Sequence, residues 1–147
     1  MTNKAQLESA LKESLRAGDE TRKNTVRMVL SAIKLAEIEK GNPLDETGIT
    51  SILQKEVKSR RESIADAQRA NRPDLVAAAE AEIAILESFL PKAMPAEELD
   101  ALARQSVQEA GATSVREMGQ VMKILMPRLQ GRASGDQASQ AVRKLLQ

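Results

Sequence analysis

The sequence predicts an all-α protein, and three observations carry that prediction. Apolar residues recur at three- and four-residue steps through nearly the whole chain, the period of a helix with one buried face. Runs of β-branched residues with alternating polarity are missing, so no segment has the pattern of a half-buried strand. Between the periodic segments stand Gly, Pro, Asp and Ser, at the places where helices stop and start.

The first helix is expected from the stripe Leu7, Leu11 and Leu15, and it breaks at Gly18. Asp19 can cap a second helix by accepting hydrogen bonds from its first-turn amides. That helix has Val26, Val29, Leu30 and Ile33 on one side and Met28, Ala32 and Leu35 on another. So wide an apolar arc implies more than one packing neighbour. Gly41-Asn42-Pro43 ends it, because proline lacks the amide that the ladder needs and biases the residue before it away from helical dihedrals. Asp45 can cap a third helix, whose Ile49, Leu53, Val57 and Ile64 keep one side apolar while Lys55, Lys58, Arg61 and Glu62 occupy others. Arg72-Pro73-Asp74 marks the next break, with Pro73 tolerated in a first turn. Leu75, Ala79, Ile83, Leu86 and Leu90 then define a fourth helix. These segments are expected to form one N-terminal four-helix domain, residues 1–90.

Phe89-Leu90-Pro91-Lys92-Ala93-Met94-Pro95 cannot be one continuous helix, and residues 91–95 are expected to be a packed linker. Glu97 and Glu98 suit the first turn of a fifth helix, where the macrodipole favours negative charge. Leu99, Leu102 and Val107 are its apolar side, and Gly111 ends it. Ser114 and Glu117 form a capping-box pattern ahead of the run Val115, Met118, Met122, Leu125, Met126 and Leu129. The three methionines of that run are assigned to the core, and Gly119 to close helix packing. The helix meets Pro127 near its end and stops at Gly131; Asp136 or Ser134 caps a last one, with Ala138, Val142, Leu145 and Leu146 facing inward. Residues 96–147 are thus expected to be a C-terminal three-helix domain.

Composition narrows the chemistry. The 147 residues include no His, Cys, Trp or Tyr, and Phe89 is the only aromatic residue. A Ser-His or Cys-His nucleophile pair and the usual imidazole or thiolate zinc site are therefore ruled out. There is no GxxxxGK[ST] phosphate loop and no dinucleotide fingerprint, so no cofactor or metal is expected. A formal net charge of +1, with 41% hydrophobic and 29% charged residues, describes a globular chain. Glu8 and Glu13 interrupt the N-terminal region, where a secretory signal needs an unbroken apolar stretch. No apolar run approaches the ~18 residues of a membrane span. A soluble, cytoplasmic protein with no membrane partner is expected.

Several segments resemble the GatB/YqeY family, in particular its stand-alone YqeY-like members. In the C-terminal half these are Gly111-Ala112-Thr113-Ser114, Met118-Gly119-Gln120-Val121-Met122-Lys123, Leu125-Met126-Pro127 and Gly131-Arg132-Ala133-Ser134-Gly135. Upstream they are Val26-Arg27-Met28, Glu56-Val57-Lys58, Arg60-Arg61-Glu62-Ser63-Ile64 and Phe89-Leu90-Pro91. The resemblance implies an all-helical protein in two parts, related to the C-terminal tail of the B subunit of tRNA-dependent amidotransferases. Those enzymes convert Glu-tRNA(Gln) or Asp-tRNA(Asn) to the amide, using glutamine and ATP. In the family, the tail is associated with gripping tRNA, while kinase and amidase chemistry lies elsewhere. A label of carbon–nitrogen ligase activity with glutamine as amido-N-donor would reach this chain by inheritance only. The partner amidases use a Ser-Ser-Lys arrangement in a Gly- and Ser-rich region, and this chain has isolated serines. The resemblance therefore implies a non-catalytic tRNA-binding accessory protein, with amidotransferase or aminoacyl-tRNA synthetase components as further partners. A helical protein–protein adaptor without RNA contact is the alternative.

Charge partition agrees with a local polyanion site. Between residues 116 and 144 there are six cations, Arg116, Lys123, Arg128, Arg132, Arg143 and Lys144, against Glu117 and Asp136. Clustered Lys and Arg are what phosphate contacts require. Gly131 and Gly135 allow a backbone to approach closely, and the amides of the following helix N-terminus can receive a phosphate. Lys123, Arg128, Gly131, Arg132, Gly135, Arg143 and Lys144 are therefore the candidate nucleic-acid-binding residues. The alternative makes Gly131 a helix cap, Gly135 a turn residue and the charges a solvated face. The basic residues Lys23, Arg27 and Lys34 of the second helix and Lys55, Lys58, Arg61 and Arg69 of the third have nearby carboxylates to pair with. With no aromatic platform, base stacking is not available for recognition.

Overall fold

The computed structural model describes residues 1–147 as seven α-helices and one short 3-10 turn, without strands. The helices are α1 (Lys4–Ala17), α2 (Glu20–Lys40), α3 (Glu46–Arg69), α4 (Pro73–Ser88), α5 (Ala96–Ala110), α6 (Met118–Leu129) and α7 (Gly135–Leu146). They fall into two compact units, Met1–Leu90 and Pro91–Gln147.

In the N-terminal unit, the starts of the first three helices are set by side chains that satisfy orphan amides. Asn3 accepts from the Gln6 amide while the Gln6 side chain accepts from the Asn3 amide, and Asp19 and Asp45 cap α2 and α3. Gly18 and Gly41 end α1 and α2 in the left-handed region, with φ of 69° and 78°, where a side chain would be strained. Pro73 opens α4, and Arg72 holds the Asp74 carboxylate through two hydrogen bonds. That guanidinium keeps the exposed Asp74 carboxyl below its ordinary range.

The core of this unit is Leu7, Ala10, Val26, Val29, Ile33, Ile49, Leu53, Val57 and Leu86. Two details differ from the periodicity. The buried side of α1 runs through Leu7, Ala10 and Ser14, and Leu15 is half exposed. The second apolar side of α2 is largely uncovered within the unit, since Leu35 is exposed and Met28 half exposed. α2 does pack on α1, α3 and α4, but through its Val26, Val29 and Ile33 side. Among the α3 residues, Arg60 lies buried between Glu56 and Glu82 on α4, at 2.9 Å from the latter, with its other end against the Met28 sulfur. Much of the remaining basic charge is paired as anticipated, Lys23 with Glu20 and Arg69 with Asp66, while Arg61 reaches Glu87. Phe89 is half-buried, with the Arg22 guanidinium 5.2 Å from its ring centre.

In the C-terminal unit, α5, α6 and α7 pack pairwise around Leu99, Ala103, Val121, Leu125, Leu129, Ala133, Ala138, Ala141, Val142 and Leu146. Small residues from α5 and α7 against leucines from α6 let three short helices approach closely. Met94 packs on this core and its amide donates to the Arg132 carbonyl at 2.8 Å. Segment Pro91–Pro95 therefore folds as part of the unit. Ser114 and Glu117 do not form a capping box. Val115–Glu117 is a 3-10 turn, Ser114 makes no side-chain cap bond, and Thr113 Oγ1 donates to Glu117 instead. α7 is capped by Ser134 rather than Asp136, reciprocally with Gln137. Met118 and Met122 do pack on the core, but Met126 is 41% exposed. Leu145 also sits at the rim, exposed at the edge of the α7 apolar side.

Candidate nucleic-acid interface

The seven residues singled out by sequence divide into a structural set and a free set. Arg132 belongs to the first. Its guanidinium makes a bidentate pair with Glu98 on α5, at 2.8 and 3.0 Å, and its Nε donates to the Lys92 carbonyl at 3.2 Å. With the bond from the Met94 amide to its own carbonyl, Arg132 fastens the turn between α6 and α7 to the start of α5. A fork–fork geometry of this kind is directional and strong for its exposure. Arg128 is likewise taken up, by Glu109 at the other end of α5.

The glycine turn is also committed to the fold. α6 ends with Gln130 and Gly131 both in the left-handed region, at φ of 50° and 75°, so Gly131 does need its freedom. Gly135 does not: it is the first residue of α7, in ordinary helical geometry, and an added Cβ would stand 3.9 Å from the nearest atom, the Met126 methyl. The α7 N-terminus carries capping groups of its own. Ser134 Oγ accepts from the Gln137 amide, the Gln137 side chain accepts from the Ser134 amide, and Asp136 already places a carboxylate in the first turn. The helix start expected to receive a phosphate thus holds a reciprocal capping box and a first-turn carboxylate.

What remains is Lys123 on α6 and Arg143 and Lys144 on α7, all exposed and free of ion pairs. Arg116, in the 3-10 turn, joins them. It precedes Lys123 by seven residues, and Gly119 and Gln120 lie between them at the three- and four-residue steps that share a helix face. All four residues of this line are exposed. Close packing does not explain Gly119, because a Cβ added there would meet nothing within 4 Å. Gly119→Ala should therefore raise the stability of the unit by about 0.5–1 kcal/mol through helix propensity, read as a higher thermal midpoint. A lower midpoint would show a packing role that the geometry lacks.

Counted over the unit, the carboxylates of α5 explain why local sequence overstated the positive charge. Glu98 and Glu109 neutralise Arg132 and Arg128 from helix positions 34 and 19 residues away. Arg60 in the N-terminal unit is the reverse case, a charge that sequence periodicity passes over and the fold buries.

A family model described as Yqey-like protein matches residues 4–146. The chain is also similar to proteins named "Altered inheritance of mitochondria protein 41, mitochondrial" from several yeasts. It is 37% identical to that of Lachancea thermotolerans over 69% of this chain and 55% of the relative. For Kluyveromyces lactis the identity is 42%, over 66% of this chain and 54% of the relative. For Eremothecium gossypii it is 36%, over 74% and 61% respectively. The chain thus spans little more than half the length of these curated relatives. The expected cytoplasmic location is corrected by their names, which are those of mitochondrial proteins. That expectation rests on the lack of an unbroken apolar leader, whereas mitochondrial leaders are amphipathic and basic. No helix is long and apolar enough to cross a membrane.

Proposed function

The chain belongs to the Yqey-like protein family, and on that premise we propose that it is a tRNA-binding accessory protein that holds RNA by phosphate charge and shape. The observation that carries this reading is the set of exposed cations left unpaired on the 3-10 turn, α6 and α7 of the C-terminal unit: Arg116, Lys123, Arg143 and Lys144. A cation already held by a carboxylate must lose that partner before it can serve a phosphate; a solvated one need only release counterions. Binding chemistry of this kind needs no nucleophile and no general acid, in keeping with a chain without His or Cys. The carboxyl-amidating chemistry associated with the family would then belong to amidotransferase components working beside it.

Fluorescence anisotropy with bulk tRNA tests the proposal. For the wild type, log affinity should fall linearly with log salt. Lys123→Ala/Arg143→Ala/Lys144→Ala should flatten that slope by about 0.7–0.9 for each phosphate that the variant no longer neutralises. Arg132→Ala should leave the slope unchanged, because its guanidinium is already engaged with Glu98. No binding by the wild type at low salt, or a slope indifferent to the triple substitution, would sink the reading.

A further inference from the structure

α2 has two apolar faces; the fold buries one and leaves the other largely uncovered, with the Arg60 guanidinium of α3 reaching it at the Met28 sulfur. Val26, Val29 and Ile33 are fully buried in the core of the N-terminal unit. On the other face, Met28, Ser31, Leu35 and Ile38 succeed one another at steps of three, four and three residues, the spacing of a coiled-coil seam. Met28, Leu35 and Ile38 are 49, 59 and 68% exposed. Single exposed apolar side chains are ordinary, but three aligned along one helix mark a surface made to be covered.

The charges beside this seam say what covers it. On the same helix, Glu20 pairs with Lys23 and Glu37 with Lys4. Lys34 and Glu39, on opposite flanks of the seam, are exposed and make no ion pair within the chain. They lie five residues apart. In two parallel helices packed along such a seam, a residue flanking it on one helix faces the residue five places further along the other. Two copies of α2 laid in parallel therefore bring Lys34 of each against Glu39 of the other, twice by two-fold symmetry. The antiparallel arrangement would set Lys34 against Arg27 instead, cation against cation.

We propose that the outer face of α2 is a self-association surface, on which a second copy of this chain docks its own α2 in parallel. Met28, Leu35 and Ile38 form the seam, and the Lys34–Glu39 pairs set its direction. With Ser31 interrupting three apolar layers, the association is weak and depends on concentration. It is independent of RNA binding, which involves the other unit.

Sedimentation velocity over a concentration series tests self-association, and cysteine crosslinking tests direction. Because the chain contains no Cys, Leu35→Cys introduces a single thiol, which in a parallel dimer faces its own copy across the seam and should oxidise to a covalent dimer. Lys34→Glu should weaken the dimer roughly tenfold by replacing two attractions with two repulsions, and Lys34→Glu/Glu39→Lys should restore it. Circular dichroism of each variant confirms that the helices persist, since all three positions are exposed. A protein that stays monomeric up to about 1 mM, or a Leu35→Cys variant that dimerises without crosslinking, would overturn the proposal. So would a Lys34→Glu variant that associates more tightly, the signature of the antiparallel arrangement.

Discussion

Leu125→Ala should unfold the C-terminal unit while the N-terminal helices remain. Leu125 is fully buried at the centre of α6, among residues from all three helices. Removing a buried leucine side chain costs about 2–5 kcal/mol, the loss of transfer free energy plus the cavity left behind. A core confined to Pro91–Gln147 supplies about 3–5 kcal/mol in total, so a single truncation consumes most or all of it. Amide hydrogen exchange read separately for α5–α7 and α1–α4 would show protection lost in the first set and kept in the second. Met126→Ala provides the comparison: its side chain is 41% exposed, and its removal should cost less than about 1 kcal/mol. Equal losses from the two truncations would mean that the core is not where the structure puts it.

Arg60→Leu should destabilise the N-terminal unit by about 2–3 kcal/mol, somewhat less than the roughly 3–5 kcal/mol that breaking a fully buried ion pair costs. The guanidinium is buried and links α3 to α4, and its removal leaves the Glu56 and Glu82 carboxylates facing each other across a partly dry groove. The lower figure reflects the 23% and 34% exposure of the two carboxylates, which lets water return to them. The same physics predicts recovery when the charges go together: Arg60→Leu/Glu56→Gln/Glu82→Leu should regain most of the loss, because burial of an ion pair yields little net stability over apolar packing. Urea unfolding followed by circular dichroism measures both. If the triple variant were no more stable than the single one, the cost would lie in packing against Met28 rather than in uncompensated charge.

Helix positions and most helix ends were legible along the chain because they depend on neighbours within four residues. Asp19 and Asp45 cap α2 and α3, and Gly41 and Gly111 close α2 and α5, through contacts that are local in sequence. The exception, Ser114, fails for a local reason too: a 3-10 turn intervenes, and Thr113 takes the Glu117 side chain. The candidate site was less legible. Arg128 and Arg132 look no different along the chain from Lys123 and Arg143, yet they differ in what lies opposite them across the bundle. No window along the sequence contains that information.

The sequence by itself determined the all-α class, the order of the helices, most of their caps and the exclusion of His- and Cys-based chemistry, since each follows from residue type and spacing of a few positions. Only the tertiary structure decided which charges are free. It paired Arg132 with Glu98 and Arg128 with Glu109, buried Arg60 between two carboxylates, and left Gly119 and the Met28–Ile38 line facing solvent. The physical reason is that a helix fixes its own hydrogen bonds within four residues, whereas burial and ion pairing depend on which other helix stands within a few ångströms.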